Sequence, residues 1–452
     1  MMKSRKTKPT LPNKSGTSEK KILSPDATKE IQRPGVMGLL SRISGFYLQA
    51  IVFSVAFLIL FSRRPDAILN AQFYAEDGKA WYLEAYLHGL HSLFMPHTGY
   101  LQTLSRAVAL IALLFPLSLA PLVMNLCAIV VQILPVNLFL STRFSDIPFK
   151  TRLLGSFIYL AIPNSAEIHA NITNGQWHLG LLACLVLLAR PANSWGWRIF
   201  DGAVLVMTSI GSPFGVLLVP VAAALWWKRR QRWSAYSLAL LVPGALVVGL
   251  VALLSHQRQV ATIGATFSRF GAIFGRQVFL SSLLGKNSQV WLLKLHDLHL
   301  VEAIATVAGL AVLLYALRYG QIELKLFILF AYTVLALALV SPLVGTPELP
   351  NWELMCWPGI DGERYYFLPM LAFLASLMWM ATRKTSPRAI RNFAVALLLL
   401  LPIGVYQDWN HPPFNDLDFS YKAAEFEQAP PGTTVTFPIN PNPVWNMELT
   451  KH

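Results

Sequence analysis

Apolar residues recur along this chain in long, nearly unbroken runs. The clearest lie at Gly45 to Phe61, Leu119 to Leu140, Ala235 to Leu254, Leu298 to Leu317, Leu324 to Leu343, Tyr365 to Ala381 and Ile390 to Tyr406. Most approach the roughly 17 to 25 residues that carry a helix across hydrocarbon. Leu, Ala and Gly dominate them without strict two-residue alternation, which argues against a β-barrel. The pattern predicts an all-α polytopic membrane protein. Shorter apolar segments at Leu153 to Pro163 and Trp177 to Ala189 predict half-length helices, tolerated where protein or a water-filled cavity replaces lipid. Gln102 to Leu117 contains Arg106 and Pro116 and reads as a re-entrant or interfacial helix. Crossings then number about eleven, within a range of about 11 to 13.

Composition agrees: 54% of the 452 residues are hydrophobic and only 13% charged, where soluble domains carry roughly 25% charged residues. The net charge of +14 is sorted by position. Residues 1–42 hold ten Lys/Arg against three acids and too few apolar residues to fold alone, so they read as a disordered basic cytoplasmic tail. Further basic residues cluster in alternate loops, such as Arg143 to Arg152, Lys228 to Arg232 and Arg383 to Arg391. This two-sidedness predicts a cytoplasmic amino terminus and outer loops at 63–118, 164–176, 255–297 and 344–364. The membrane domain spans 43–407, and 408–452 forms a small extracytoplasmic appendage. There Phe414 to Phe426 predicts a helix and "TTVTF" a strand. The placement of the basic residues argues against a nucleic-acid partner, and the basic tail is as compatible with contact to anionic headgroups as with no role at all. No internal repeat supports an inverted-repeat transporter. Cys127, Cys184 and Cys356 form neither a disulfide framework nor a metal-spaced cluster.

Candidate chemistry lies in the outer loops. "FYAEDGKAW" places Glu76 and Asp77 side by side beyond the first crossing. An acid pair alone is compatible with a helix start stabilised by the dipole. Desolvated at an interface, the same pair has the raised pKa that proton abstraction needs. Tyr100 and Arg106 follow in the same loop, and "PNSAEIHANITNGQW" adds Glu167, His169, Asn174 and Gln176. Ionisable loops framed by short helices are costly at a membrane unless they line a site. Asn171 to Thr173 also spells a glycosylation sequon, which is discounted as a chance triplet. "ERYYFLP" sets Arg364 beside Tyr365 at the start of a crossing, suited either to snorkelling or to a phosphate.

"AEDG", "GYLQTLSR", "NITNGQW", "SPFG", "ERYYFLP" and "PGTTVTFPINP" are similar to segments of bacterial glycosyltransferase-like membrane proteins. One crossing, an acidic first outer loop with interfacial helices, many further crossings and an exported tail resemble the GT-C superfamily of polyprenyl-phosphate-sugar-dependent transferases. The resemblance spans roughly residues 45 to 450. It implies an inverting glycosyltransferase that moves a sugar from a polyprenyl-phosphate donor to an acceptor hydroxyl on a glycan, lipid or protein. A first-loop acid would be the general base, with Asp77 favoured over Glu76. Glu167 would be a second acid, and Arg364 would hold the donor phosphate with help from Arg276, Lys286 or Arg106. His169, Asn174, Gln176, Tyr100 and Tyr365 are further substrate-binding candidates. No cofactor is firmly implied, and a divalent metal stays open. Two other classes remain: an O-antigen polymerase or ligase, which would use the 255–297 loop, and a lipid-linked sugar flippase without covalent chemistry.

Overall fold

The computed structural model describes residues 45–254, 262–340, 349–357, 362–441 and 444–452. The basic tail expected at 1–42 lies outside them, as do parts of the loops expected at 255–297 and 344–364. The chain divides into two compact units, Met1–Leu48 and Gln49–His452. The second unit joins nearly all of the expected membrane domain and the carboxy-terminal appendage in one body.

The chain is mostly helical. Among the described residues, six helices are long and apolar enough to cross a membrane: Leu117–Leu140, Arg232–Leu254, Leu298–Tyr319, Ile322–Val340, Arg364–Thr382 and Arg388–Gln407. Leu298–Tyr319 carries no single apolar stripe. Its Leu300, Ile304, Val307 and Leu314 are all exposed, Val307 by 70%. Helices apolar on every side, with large aliphatic side chains facing outward, are solvated by lipid. Where helices touch, small residues let the backbones approach. A Cβ on Gly244 would lie 2.2 Å from Ser209 Oγ, and one on Gly215 2.4 Å from Ser209 Cα. The Ser212 to Gly215 turn therefore owes its glycine to packing.

Helix ends sort into two levels, each tied by arginines on carbonyls that a helix leaves unpaired. At one level Arg63 donates to Leu160 O (2.7 Å), Ile162 O (3.0 Å) and Asp408 O (3.2 Å). At the other, Arg152 reaches Leu140 O and Ser141 O, while Arg229 reaches Leu187 O, Leu188 O and Glu323. Arg383 reaches Tyr319 O at that second level. Thr103–Ala112 is only ten residues long and begins where Gln102 N donates to Gly211 O. At 1.5 Å per residue it is far too short to cross.

The appendage is built differently from its expectation in two places. Its helix runs Phe419–Gln428 and starts late, because Asp418 takes a left-handed conformation (φ 53°) that breaks the turn before it. "TTVTF" lies in β1 (Thr434–Pro438), which pairs antiparallel with an unforeseen β2 (Asn446–Thr450), Thr436 opposite Glu448. Phe73 packs on Phe419, Tyr74 stacks on Phe414, and Ala75 N donates to Asn440 O, so the appendage grips the first acidic loop. Gly78 permits this, since a Cβ there would meet Ile439 and Phe73 at 3.1 Å.

Candidate functional site: a buried ionic cluster at one end of the helices

The first loop approaches the cluster through a π-helical turn, Asp77–Tyr82, running into Leu83–His88. Such wide turns concentrate at functional sites. Ala75, just before the acid pair, has φ 47°, and Ala170 in the second loop has φ 54°. Alanine gains nothing from the left-handed region, so both positions hold strain that the surrounding contacts impose.

Asp77 is wholly buried. Its Oδ1 accepts from Thr173 N (2.7 Å) and Thr173 Oγ1 (2.6 Å), and its Oδ2 from Ile172 N (3.3 Å). Burial pushes its pKa up to about 7, against the opposing pull of the Thr173 hydrogen bonds. Trp81 Nε1 donates to the same Thr173 hydroxyl at 2.9 Å. The favoured base is therefore a clamp between two loops, its oxygens turned to the protein. Glu76 differs: it is half-buried and has no hydrogen bond or ion pair to another described residue. Its charge acts on Asp77, His97 and Arg364.

The second loop supplies the link between acid and guanidinium. Glu167 forms an ion pair with Arg364 Nη1, and its Oε2 also accepts from Arg364 N (2.8 Å) and Gly362 N (3.3 Å). Asn171 and Asn174 donate to the Glu167 carbonyl at 2.7 and 2.9 Å. Asn171 is buried and fully engaged, so the sequon triplet is structural. Gln176 is half-buried with Oε1 unpartnered among the described residues. Arg364 lies over the ring of Tyr365, which meets Trp177 edge-on.

Every cation expected to hold phosphate has an acid of its own. Lys286 pairs with Glu363 at 2.5 Å, Arg106 with Glu84, and Arg276 with Glu302 at 3.1 Å. The Arg276 pair is close in distance, but Arg276 Nε lacks hydrogen-bond geometry towards Glu302, and it is Arg276 Nη2 that donates, to Cys356 O at 2.8 Å. Lys286 joins the central cluster, because the charges of Glu167 and Asp408 both act on Glu363. Burial raises the Glu363 pKa, and Lys286 opposes that rise. Arg106 belongs to a neighbouring group with Trp81 and His97. Tyr100 sits beside it in a tight turn, His97 N to Tyr100 O at 2.7 Å. Arg276 stands apart, on a second π-helical segment, Ala272–Leu280.

Several members were not anticipated. Asp408 accepts from Asn164 N (2.8 Å) and Lys286 N (2.5 Å), tying three segments together at this level. Arg64 is buried, donates to Ala166 O and His169 O, and lies 4.5 Å from the Phe414 ring centre. Burial lowers its pKa to about 10. His169 donates through Nε2 to Leu60 O and takes Gln132 Nε2 on Nδ1, a geometry that suits the neutral ring. Burial holds His169 well below the usual histidine range. From there polar groups continue between the helices, Gln132 O to Tyr159 OH to His178 Nδ1. One clue was available for Arg63 and Arg64: on the orientation expected from the charge pattern, two arginines at the outer end of the first crossing run against the positive-inside bias.

Among the described residues no group of three or more His, Cys, Asp or Glu could hold a metal ion. Compared with known proteins, the chain matches no family profile, and no curated protein matches it. The cluster itself offers a half-buried carboxylate, Glu76, unpaired among the described residues, beside a helix start that holds an anionic side chain and two lysine or arginine ion pairs.

Proposed function

We propose that this chain is a polyprenyl-phosphate-sugar-dependent glycosyltransferase of GT-C type. It would cross a bacterial inner membrane about eleven times, counting the helices Gly45–Arg63, Phe149–Leu160, Gly175–Leu188, Trp195–Gly211 and Pro213–Arg229 with the six long apolar ones. The amino terminus would be cytoplasmic, the cluster and the carboxy terminus extracytoplasmic. The carrying observation is the convergence of Glu76, Glu167 and Arg364, from three separate loops, at one level of the helices. An acid near a fixed guanidinium at the edge of hydrocarbon suits a substrate whose phosphate rides on a lipid and whose sugar projects outward.

The general base in this reading is Glu76, because Asp77 has its oxygens committed to Ile172 and Thr173. The acceptor oxygen attacks the anomeric carbon and gives its proton to Glu76. The bond from that carbon to the phosphate oxygen breaks on the opposite side, and polyprenyl phosphate leaves with the electron pair. Configuration inverts. Charge growing on the departing phosphate is met by Arg364, so no strong general acid is needed. Asp77 is a positioning residue that fixes the loop carrying Glu76.

The test is transfer by the purified chain in lipid vesicles, given polyprenyl-phosphate sugars and read as a new glycosidic product by mass spectrometry. Loss of a defined sugar from the surface glycans of a deletion strain would name sugar and acceptor together. Vesicles that move the intact lipid-linked sugar across the bilayer, with no glycosidic product, would replace this reading by a flippase.

A further inference from the structure

At the start of the Arg364–Thr382 helix a carboxylate occupies a position built for an anion. Glu167 Oε2 takes the backbone N–H of Arg364 (2.8 Å) and of Gly362 (3.3 Å), and Glu167 also pairs with the guanidinium. Gly362 has φ +127°, a conformation that L side chains rarely adopt and that helps bring both N–H groups onto one oxygen. Backbone donors at the start of a 19-residue helix, joined by an arginine fork, form the donor set that recognises phosphate oxygens.

A second observation concerns charge. Arg64 is buried against the carbonyls of Ala166 and His169, which flank Glu167 in the chain. Among the described residues it makes no ion pair, and its Nε has no hydrogen-bond partner. The charges of Asp66 and Glu363 act on Arg64 without touching it, so its guanidinium stands in the cluster without a direct carboxylate contact among the described residues, and a phosphate brings more negative charge than a carboxylate. Lys286 is a further reserve, held by Glu363 and partly exposed.

We propose, resting on the glycosyltransferase reading, that the N–H groups of Gly362 and Arg364 with the Arg364 guanidinium form the donor-phosphate seat, and that Glu167 is its resident counter-anion. In the empty enzyme Glu167 neutralises the seat; the donor phosphate exchanges with it. Only the side chain has to move, since Asn171 and Asn174 hold the Glu167 carbonyl. Glu167 is then a competitor of the donor phosphate and not a ligand of the sugar.

The experiment is equilibrium binding of a sugar-free polyprenyl phosphate to the full chain in lipid nanodiscs, beside inorganic phosphate, for wild type and Glu167→Gln. Removing the competing charge should tighten polyprenyl phosphate by about tenfold. Unchanged or weaker binding overturns the proposal. Tightening confined to inorganic phosphate would assign the seat to a soluble anion and overturn the lipid donor. If Glu167→Gln does not fold, Glu167→Asp answers the same question, because the shorter side chain cannot span both donors. Arg364→Lys, which loses the fork but keeps the charge, should weaken binding in either background. Transfer failing while Glu167→Gln still tightens binding would sink the enzyme reading alone; transfer occurring with unchanged affinity would sink only the exchange.

Discussion

Thr173 donates twice to Asp77, from its backbone N–H at 2.7 Å and from its hydroxyl at 2.6 Å. That hydroxyl also accepts from Trp81 Nε1. One side chain therefore satisfies a buried acid and a buried indole. Thr173→Val keeps the shape and removes both bonds. Leaving buried polar groups unpaired costs about 1 to 3 kcal/mol, so the apparent Tm in detergent should fall, and Thr173→Ser should recover most of it. Equal melting of the valine and serine variants would mean that the clamp contributes nothing.

Asp77 also sets a pH dependence. Its pKa rises from the ordinary 3.8 to about 7 in the folded chain. Below pH about 4 it is protonated folded or unfolded and adds no pH dependence. Between about 4 and 7 the unfolded chain releases a proton that the folded chain keeps, so stability from this group declines as pH rises, and levels off above about 7. The Tm of wild type minus that of Asp77→Asn should therefore fall across this window. A difference that rises with pH would show that the carboxylate is favoured in place and that the charged form is the stable one.

Long apolar runs report helices directly, which is why Leu298–Tyr319 and Arg364–Thr382 begin within a residue of where the sequence pattern starts them. The pairing of Glu167 with Arg364 could not be read, because it joins residues 197 positions apart and no periodicity carries contact information. For the same reason nothing in the sequence singles out Glu84, Glu302 and Glu363 as the partners of Arg106, Arg276 and Lys286. The choice between Glu76 and Asp77 was hidden too. Glu76 stands just before the π-helical turn and Asp77 opens it, so one stays half-buried and the other is wholly buried, and the turn type is invisible to a 3.6-residue pattern.

Glu76→Gln removes the acid assigned as base and should lower kcat for transfer by about 10²- to 10⁴-fold. KM for the donor should change little, as the phosphate contacts remain. Asp77→Asn should cost less in rate and show its loss together with a lowered Tm. If Asp77→Asn is the more damaging in rate at unchanged stability, the buried acid takes the proton and the loop must open to expose it.

Orientation is checkable without a substrate. Tyr421 on the appendage helix is 73% exposed, and Lys384 at the opposite level is exposed as well. In a background with its native cysteines replaced, Tyr421→Cys should react with a membrane-impermeant maleimide on intact cells whose outer membrane has been opened. Lys384→Cys should react only after the inner membrane is permeabilised. The reverse pattern would put the cluster in the cytoplasm, beside nucleotide sugars, and end the case for a lipid-linked donor.

At the level opposite the cluster, Arg143 grips Asp201 with both guanidinium nitrogens, at 2.6 and 2.7 Å, and both side chains are almost wholly buried. Arg143 also bonds Arg190 O and lies over the Trp197 ring, so the pair pins a loop to the start of the Trp195–Gly211 helix. Asp201→Ala strands a buried guanidinium and should cost about 3 to 5 kcal/mol, read as poor yield and a much lower Tm. Desolvating two charges offsets most of their attraction, so the double change Arg143→Met with Asp201→Leu should regain much of that loss. Because this pair lies at the far ends of the helices from Glu76, the double variant should also keep transfer activity in proportion to folded protein. A folded double variant without activity would mean that the two levels are coupled, with the Arg143 loop moving during turnover.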